Sequence, residues 1–414
     1  GILVEEGKLN WDDKVSKYLP EFELYDPFIE RELTIRDLIS HRSGYNTFDG
    51  DLLWYGTSYS REEILERFRH MKNKSSFRSG YGYQNIMFIA AGEVVEAVSG
   101  QTWDKFVQER IFKPLDMNDS YTSINDFPKD LNLAMPHLHG KQAELINYDN
   151  SGAAAAINSN VEDLSHWLQM WLNKGSYNGK QILKQQTVET ILSPNTLIDL
   201  SAYDRKRGTH FSAYGMGWFL FDYHGKLVAH HGGGLPGYIS KIAFVPEENL
   251  GLVVLTNGES YLPSALMYQL IDMMLDKPNQ DWAGQYLKLQ QANEAQKQKA
   301  KQERAAKRAT GTKPSVALEK YTGTYEDKMY GKAEVSLQNN QLQFKMLPTQ
   351  KLFTGQLEHW HHNTFKIELA DKFLPEGFVT FNLNSNGEVT GFTIDLPNPD
   401  FHFYNLKFEK VKQQ

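Results

Sequence analysis

The chain has 414 residues, 40% of them hydrophobic and 23% charged, the make-up of a soluble globular protein whose length suggests two or three domains. Its 44 basic and 51 acidic side chains leave a net charge of −7, which argues against a general nucleic-acid or anionic-membrane role. Cysteine is absent, so disulfides and thiolate metal sites are excluded, and no run of about 18 or more apolar residues offers a transmembrane helix.

The opening stretch, Gly1 to Leu9, reads as the last turns of a helix with Gly7 at its left-handed stop. Too few residues precede Gly7 for a helix that stands alone, so the expectation is a sequence that enters partway through an element. Leu38-Ile39 and Glu62 to Phe68 read as helix. Asn85 to Val98 is the strongest helical pattern, with Ile86, Ile89, Ala90, Val94 and Ala97 on one face and Gly100 as the stop. Val161 to Leu172 is a further helix, entered through Asn158-Ser159-Asn160. Strand-like runs follow at Gly217 to Phe221, Leu227 to His230, Ile239 to Val245 and Leu250 to Leu255. Helices followed by an antiparallel meander predict an α+β domain over residues 1–275.

Residues 276–314 turn to Gln, Ala and Lys and read as a charged helical linker. Between Gln296 and Arg308 six basic residues face one Glu. A solvated helix is the expectation there, with a contact for an anionic surface as the alternative. Gly311 to Pro314 marks a boundary. Residues 315–414 alternate in short runs, Ala333 to Leu337, Leu342 to Met346, Thr364 to Glu368, Phe378 to Leu383 and Val389 to Ile394. Strands at this spacing predict an all-β barrel or sandwich.

Two clusters stand out chemically. Tyr83 and Asn85 sit two apart just ahead of the apolar helix. A phenol near a cation can relay protons, and an amide offers a donor and an acceptor to a substrate amide; a core tyrosine and a capping asparagine is the competing reading. His230-His231-Gly232-Gly233-Gly234 ends a strand in glycines that allow a backbone or ligand close by and free N–H groups for an oxyanion; a mobile turn is the alternative. His137, His139 and His359 to His362 lack a carboxylate at a metal-ligand spacing, so no metal or other cofactor is expected. Walker A, His-Glu-x-x-His, Gly-x-Ser-x-Gly and Ser-x-x-Lys patterns occur nowhere in the chain.

Taken together, Leu3 to Leu9, Asp12-Asp13, Tyr18-Leu19-Pro20, Thr34 to Gly44, Tyr83-x-Asn85, Tyr214 to Trp218 and His231-Gly232-Gly233 resemble the serine β-lactamase-like hydrolases related to class C β-lactamases and D-Ala-D-Ala carboxypeptidases. The last hundred residues are similar to a lipocalin-like β domain often appended to such enzymes. The resemblance implies an antiparallel sheet flanked by helices, and acyl transfer through a covalent serine ester. Tyr83 would accept and return protons, and Asn85 would hold the acyl-side amide. His231 would stand where relatives carry the Lys of Lys-Thr-Gly, with Pro236-Gly237 favouring this register over one that starts at His230. Gly232, Gly233 and Gly234 would line the cleft, and the N–H of Gly234 would form half of the oxyanion hole.

The Ser-x-x-Lys nucleophile and its base would fall roughly ten residues before Gly1 on the family pattern. Gly232, where relatives often carry a hydroxyl, removes one hydrogen bond to a substrate carboxylate and leans away from substrates that demand one. His231 in place of Lys implies activity that varies near neutral pH. The implied substrate is a small molecule or peptide (a β-lactam, a D-amino-acid peptide or a carboxylic ester), and the implied location is periplasmic or secreted. The rival reading is a non-catalytic peptide- or glycan-binding module on the same fold. A further alternative is a small apolar ligand inside the barrel, against Val335, Leu337, Leu342 and Phe344; filling of a small core is the plainer reading of those positions.

Overall fold

The structure, a computed structural model, describes residues 1–412. The chain divides into two compact units, residues 1–47 with 73–293 and residues 48–72 with 294–414. Residues 48–72 thus pack with the C-terminal unit, although they lie within the stretch expected to form the first domain. The reason is tertiary: the Tyr55 hydroxyl donates to Asp371 (2.8 Å) and the Tyr59 hydroxyl to the Tyr330 carbonyl (2.7 Å).

In the first unit, the short helix Ile2–Glu5 closes with Gly7 at φ 68°, Lys8 N–H bonding Leu3 O and Gly7 N–H bonding Val4 O, both at 3.0 Å. This is the paired closure expected of a left-handed glycine stop. Helix α1 (Asn85–Ser99) buries Ile86, Ile89, Ala90 and Val94 and ends at Gly100, φ 72°. Helix α2 (Val161–Leu172) starts where the Asn160 side chain accepts the Asp163 N–H at 3.0 Å. Helices α3 (Leu262–Met274) and α4 (Trp282–Ala306) follow the sheet in sequence.

The sheet has six antiparallel strands: β1 (Thr196–Ile198), β2 (Ser212–Tyr214), β3 (Phe219–Tyr223), β4 (Lys226–Leu235), β5 (Tyr238–Val245) and β6 (Leu250–Thr256). They lie in the order β6-β5-β4-β3-β2-β1, a meander. Period-2 alternation buries both faces. Leu220, Ala229 and Phe244 join Leu168, Trp171 and Trp218 in one core. Phe221, Val228 and Ala243 join Tyr268, Ile271 and Trp282 in the other. Strand β4 continues past His230, through the three glycines, because β5 pairs with it as far as Leu235↔Tyr238.

The second unit is a closed barrel of eight antiparallel strands. They are β7 (Gly323–Asp327), β8 (Gly331–Gln338), β9 (Gln341–Met346), β10 (Thr354–His361), β11 (Thr364–Ile367), β12 (Gly377–Leu383), β13 (Val389–Asp395) and β14 (Phe408–Lys410). Pairing of β7 with β14 shuts it and leaves no free edge. Val335, Leu342 and Phe344 are buried, and Phe392 stands 4.6 to 5.7 Å from the rings of Phe408, Tyr325, Phe381 and Phe344. These contacts favour the packed-core reading of the interior. The basic stretch is engaged within the same unit: Lys301 pairs with Glu376 (3.2 Å), Arg304 with Asp395 (2.9 Å), and Arg308 lies 4.5 Å over the Trp360 ring.

Candidate active site

Two hairpins decide what β4 offers. Tyr223↔Lys226 closes the β3–β4 turn and Leu235↔Tyr238 closes the β4–β5 turn, each over two residues. The closing pair of a two-residue hairpin exchanges both of its N–H···O bonds, and the pattern then alternates. The odd residues of β4 therefore bond to β5 and the even residues to β3. Strand β3 begins at Phe219, opposite His230. Gly232 and Gly234 thus direct their N–H and C=O groups to an edge that β3 does not cover.

The tip of this hairpin is fixed by its surroundings. The Tyr238 hydroxyl donates to Ala134 O at 2.6 Å. Gly237 (φ 80°) packs so closely on Pro136 and His137 that a Cβ there would come within 2.6 Å of Pro136. Beside the tip lies a shallow hollow, lined in part by Leu235, Pro236, Tyr238, Ile146, Tyr148 and Asn158.

His231 curls over the open edge. Its Nδ1 lies 2.7 Å from Gly232 O, and a carbonyl only accepts, so Nδ1 carries the proton. Nε2 then accepts from the Tyr214 hydroxyl at 3.1 Å. Burial, together with the Lys241 charge, pushes the imidazole down to about 4, against the Gly232 bond that favours the charged ring. His231 is therefore neutral at physiological pH. This runs against the expectation that its titration makes activity vary near neutrality.

Tyr83 packs beside this group. Its ring centroid lies 6.0 Å from His231, 6.5 Å from Phe219 and 4.2 Å from His41. The segment Tyr81 to Asn85 is laid along the His41 loop by three backbone donors. Gly82 N–H bonds His41 O (2.9 Å), Tyr83 N–H bonds Thr47 Oγ1 (3.1 Å) and Gln84 N–H bonds His41 Nδ1 (3.0 Å). Position 82 must be glycine, because a Cβ there would stand 2.0 Å from Tyr45 O. Asn85 is the first residue of α1 and is half-buried; the cap residue is Gln84, so Asn85 does not cap the helix.

His41 was not singled out by sequence reasoning, yet it organises the cluster. It is fully buried, holds a left-handed φ of 54°, and sits 4.5 Å from the Tyr214 ring and 5.0 Å from Phe88. A strained non-glycine residue of this kind persists only where the surroundings fix it. Because Nδ1 accepts from Gln84, the proton rests on Nε2, which has no hydrogen-bond partner and lies among aromatic rings. Burial holds His41 well below the usual histidine range. Outside the ring cluster, Asp37 is buried and takes Arg42 Nε (2.5 Å) and Arg78 Nη2 (2.6 Å), tying the His41 loop to the loop that leads to Tyr83.

Tyr83, His231 and the Gly232–Gly234 edge therefore share one locality, with His41, Tyr214 and Phe219 as the residues that sequence reasoning had not assigned to it. His41 and Tyr214 lie inside the quoted segments Thr34–Gly44 and Tyr214–Trp218, and that was the only signal available for them. His359 Nε2 lies 3.0 Å from His362 O and His361 Nδ1 accepts from Ala309 N–H (3.2 Å). Among the described residues no group of three or more His, Asp or Glu is placed to hold a metal ion, and no helix is long and apolar enough to cross a membrane.

The Beta-lactamase family model matches residues 1–270, and a domain of unknown function (DUF3471) matches residues 307–410. The chain is 29% identical over 355 residues to unguisins hydrolase ungD' of Aspergillus campestris, covering 78% of this chain and 63% of that protein. It is 25% identical over 289 residues to N-acetylmuramyl-L-alanine amidase of Bacillus subtilis, covering 62% of this chain and 63% of that one. The chain thus spans a little under two thirds of the length of these curated relatives. Among solved structures, the octameric penicillin-binding protein homologue from Pyrococcus abyssi aligns with 99% of this chain and 84% of its own, at a TM-score of 0.58 and 21% identity, a likeness of fold.

Proposed function

The chain belongs to the Beta-lactamase family, and from that premise we propose that it forms the sheet and cleft of a serine hydrolase that cleaves an amide through an acyl-enzyme. The observation that carries this reading is the uncovered edge of β4, where Gly232 and Gly234 turn their N–H groups away from β5, with the Tyr83 ring 6.0 Å from that of His231 on the same strand.

The chemistry follows from the parts. A substrate carbonyl held at the edge would place its developing oxyanion against the Gly234 N–H and the N–H of the nucleophilic serine. Each such donor contributes about 3 kcal/mol to lowering the barrier. The serine and its lysine base would be those of the family's Ser-x-x-Lys motif. Asn85 would hold the acyl-side amide, and Tyr83 would pass the proton to the departing amine. Water would then attack the ester and release the acyl group. His231, neutral and doubly hydrogen-bonded, would orient the edge rather than supply charge. The Bacillus relative bears the name of an amidase, which supports an open-chain amide over an ester or a β-lactam.

The test uses the full-length gene product. A fluorophosphonate should add one adduct by intact mass, and D-alaninamide or N-acetyl-D-alanyl-D-alanine should be hydrolysed. Absence of both the adduct and any turnover rejects the reading.

A further inference from the structure

His41 is a fully buried side chain that the proposed chemistry does not use, and it grips one segment at two points. Its carbonyl accepts the Gly82 N–H at 2.9 Å, and its Nδ1 accepts the Gln84 N–H at 3.0 Å. One residue thus offers both acceptors to alternate residues of that segment, from a left-handed backbone at φ 54°. Such a conformation is unfavourable for a residue with a Cβ and persists where the surroundings fix it. Gln84, gripped in this way, lies between Tyr83 and Asn85 and is extended, with φ −131° and ψ 105°. An extended residue sets its two neighbours on the side opposite its own side chain. The Gln84 side chain is itself buried, and its Nε2 donates to the Asn46 carbonyl. The bond to His41 therefore fixes the phase in which both flanking residues leave the chain.

The choice of histidine points to the same bond. With Nδ1 accepting, the proton rests on Nε2, which is buried without a hydrogen-bond partner. The ring lies among those of Tyr83 (4.2 Å), Tyr214 (4.5 Å) and Phe88 (5.0 Å). A buried N–H without an acceptor is destabilising, and an apolar side chain would fill this volume without one. What the imidazole adds over such a side chain is the acceptor at Nδ1. Burial holds the ring well below the usual histidine range, so Nδ1 is free to accept at neutral pH.

We propose that His41 is a positioning residue for the hydrolysis: its Nδ1, acting through the Gln84 N–H, sets Tyr83 for proton transfer and Asn85 for the substrate amide together. This rests on the hydrolase reading and adds to it a residue that does not itself touch the substrate. A single hydrogen bond then governs two functions, the chemical step through Tyr83 and substrate binding through Asn85. Loss of that bond should show in both kcat and KM, whereas a smaller fraction of folded protein lowers the apparent kcat alone.

Substitutions at position 41 of the full-length gene product test it, with D-alaninamide as substrate. His41→Gly takes the left-handed backbone without strain and lacks the acceptor. His41→Leu keeps apolar bulk and also lacks it. His41→Asn tolerates the same backbone and returns an acceptor, Oδ1, near the place of Nδ1. Fluorophosphonate labelling counts active sites, so each rate is taken per labelled site. The Gly and Leu variants should lose about 100-fold in kcat and rise about tenfold in KM. Hydrogen exchange in the peptide that carries Gln84 should quicken in both. The Asn variant should return kcat to within about tenfold of the parent, with KM and slow exchange restored. Parental kinetics in the Gly and Leu variants, a kcat loss at constant KM, or an Asn variant no better than Gly overturns the proposal. A parent that neither labels nor turns over rejects the hydrolase reading itself, and the proposal falls with it.

Discussion

The Tyr214 hydroxyl donates to His231 Nε2 across 3.1 Å, joining the end of one strand to the uncovered edge of another. This bond and the Nδ1 contact with Gly232 O (2.7 Å) use both ring nitrogens in the neutral form. A second N–H proton would turn the Nε2 acceptor into a donor facing a hydroxyl that already donates. The Tyr214 bond and the burial of the ring therefore act in the same direction, against the Gly232 bond that favours the charged ring.

The pH consequence follows in sign. The His231 ring is pushed from its ordinary 6.5 to about 4, burial first among the causes. Between those values the unfolded chain binds more protons than the folded one, so stability rises with pH across the window and is lost as pH falls through about 4. His41 and His230, both lowered by burial, add to the same slope. Urea unfolding at pH 5 and pH 7 should show a smaller difference for His231→Gln than for the unaltered protein. Equal differences would show that this ring does not titrate below its ordinary range.

On the proposed reading, Tyr83 is the phenol that would move a proton at the cleft. Its ring lies 4.2 Å from His41 and 6.0 Å from His231. In the full-length gene product, Tyr83→Phe should lower kcat by about 100-fold or more while the thermal midpoint moves little, because the ring contacts remain. An unchanged kcat would take Tyr83 out of the reaction.

How much of this was legible in the chain depends on the range of the forces involved. Helix α1 was legible because its apolar period, ending at Gly100, is local. The extent of β4 was not: glycines carry little strand preference, and only pairing with β5 as far as Leu235↔Tyr238 extends the strand through them. Strands β1, β2, β7, β10 and β14 were not singled out, four of them five residues or shorter. Residues 48–72 gave no local sign of their unit, since the Tyr55–Asp371 bond spans 316 positions. Tyr83 and His231 were legible as motif residues.

The turn that presents Tyr83 depends on a missing side chain. A Cβ at Gly82 would stand 2.0 Å from Tyr45 O, whereas one at Gly80 would meet nothing within 4 Å. Backbone on backbone cannot yield cheaply, so Gly82→Ala should destabilise the protein by about 2 kcal/mol or more and reduce kcat by displacing Tyr83. Gly80→Ala should stay within about 0.5 kcal/mol of the parent. Matched denaturant midpoints for the two variants would count against the close approach.

Asp37 holds the two loops of the site in register, and its electrostatics give the sharpest stability test. The carboxylate is fully buried. It receives Arg42 Nε at 2.5 Å, Arg78 Nε at 3.0 Å and Nη2 at 2.6 Å, and the Thr34 hydroxyl at 2.7 Å. Burial alone would raise its pKa; the Arg78 and Thr34 bonds and the Arg42 charge outweigh that and hold it below the usual carboxylate range. Its contribution is therefore present above the unfolded value and lost as pH falls through the folded one. Asp37→Asn keeps the shape but leaves two guanidinium groups facing a neutral amide. Breaking a buried pair this way costs about 3–5 kcal/mol, and the lower end applies because Arg78 is 41% exposed. The variant should unfold at lower urea and show a flatter acid limb below about pH 4. It should also lose amide cleavage, because Arg42 and Arg78 anchor the His41 loop and the approach to Tyr83. A variant within about 0.5 kcal/mol of the parent would mean that these loops are held by their backbone bonds alone.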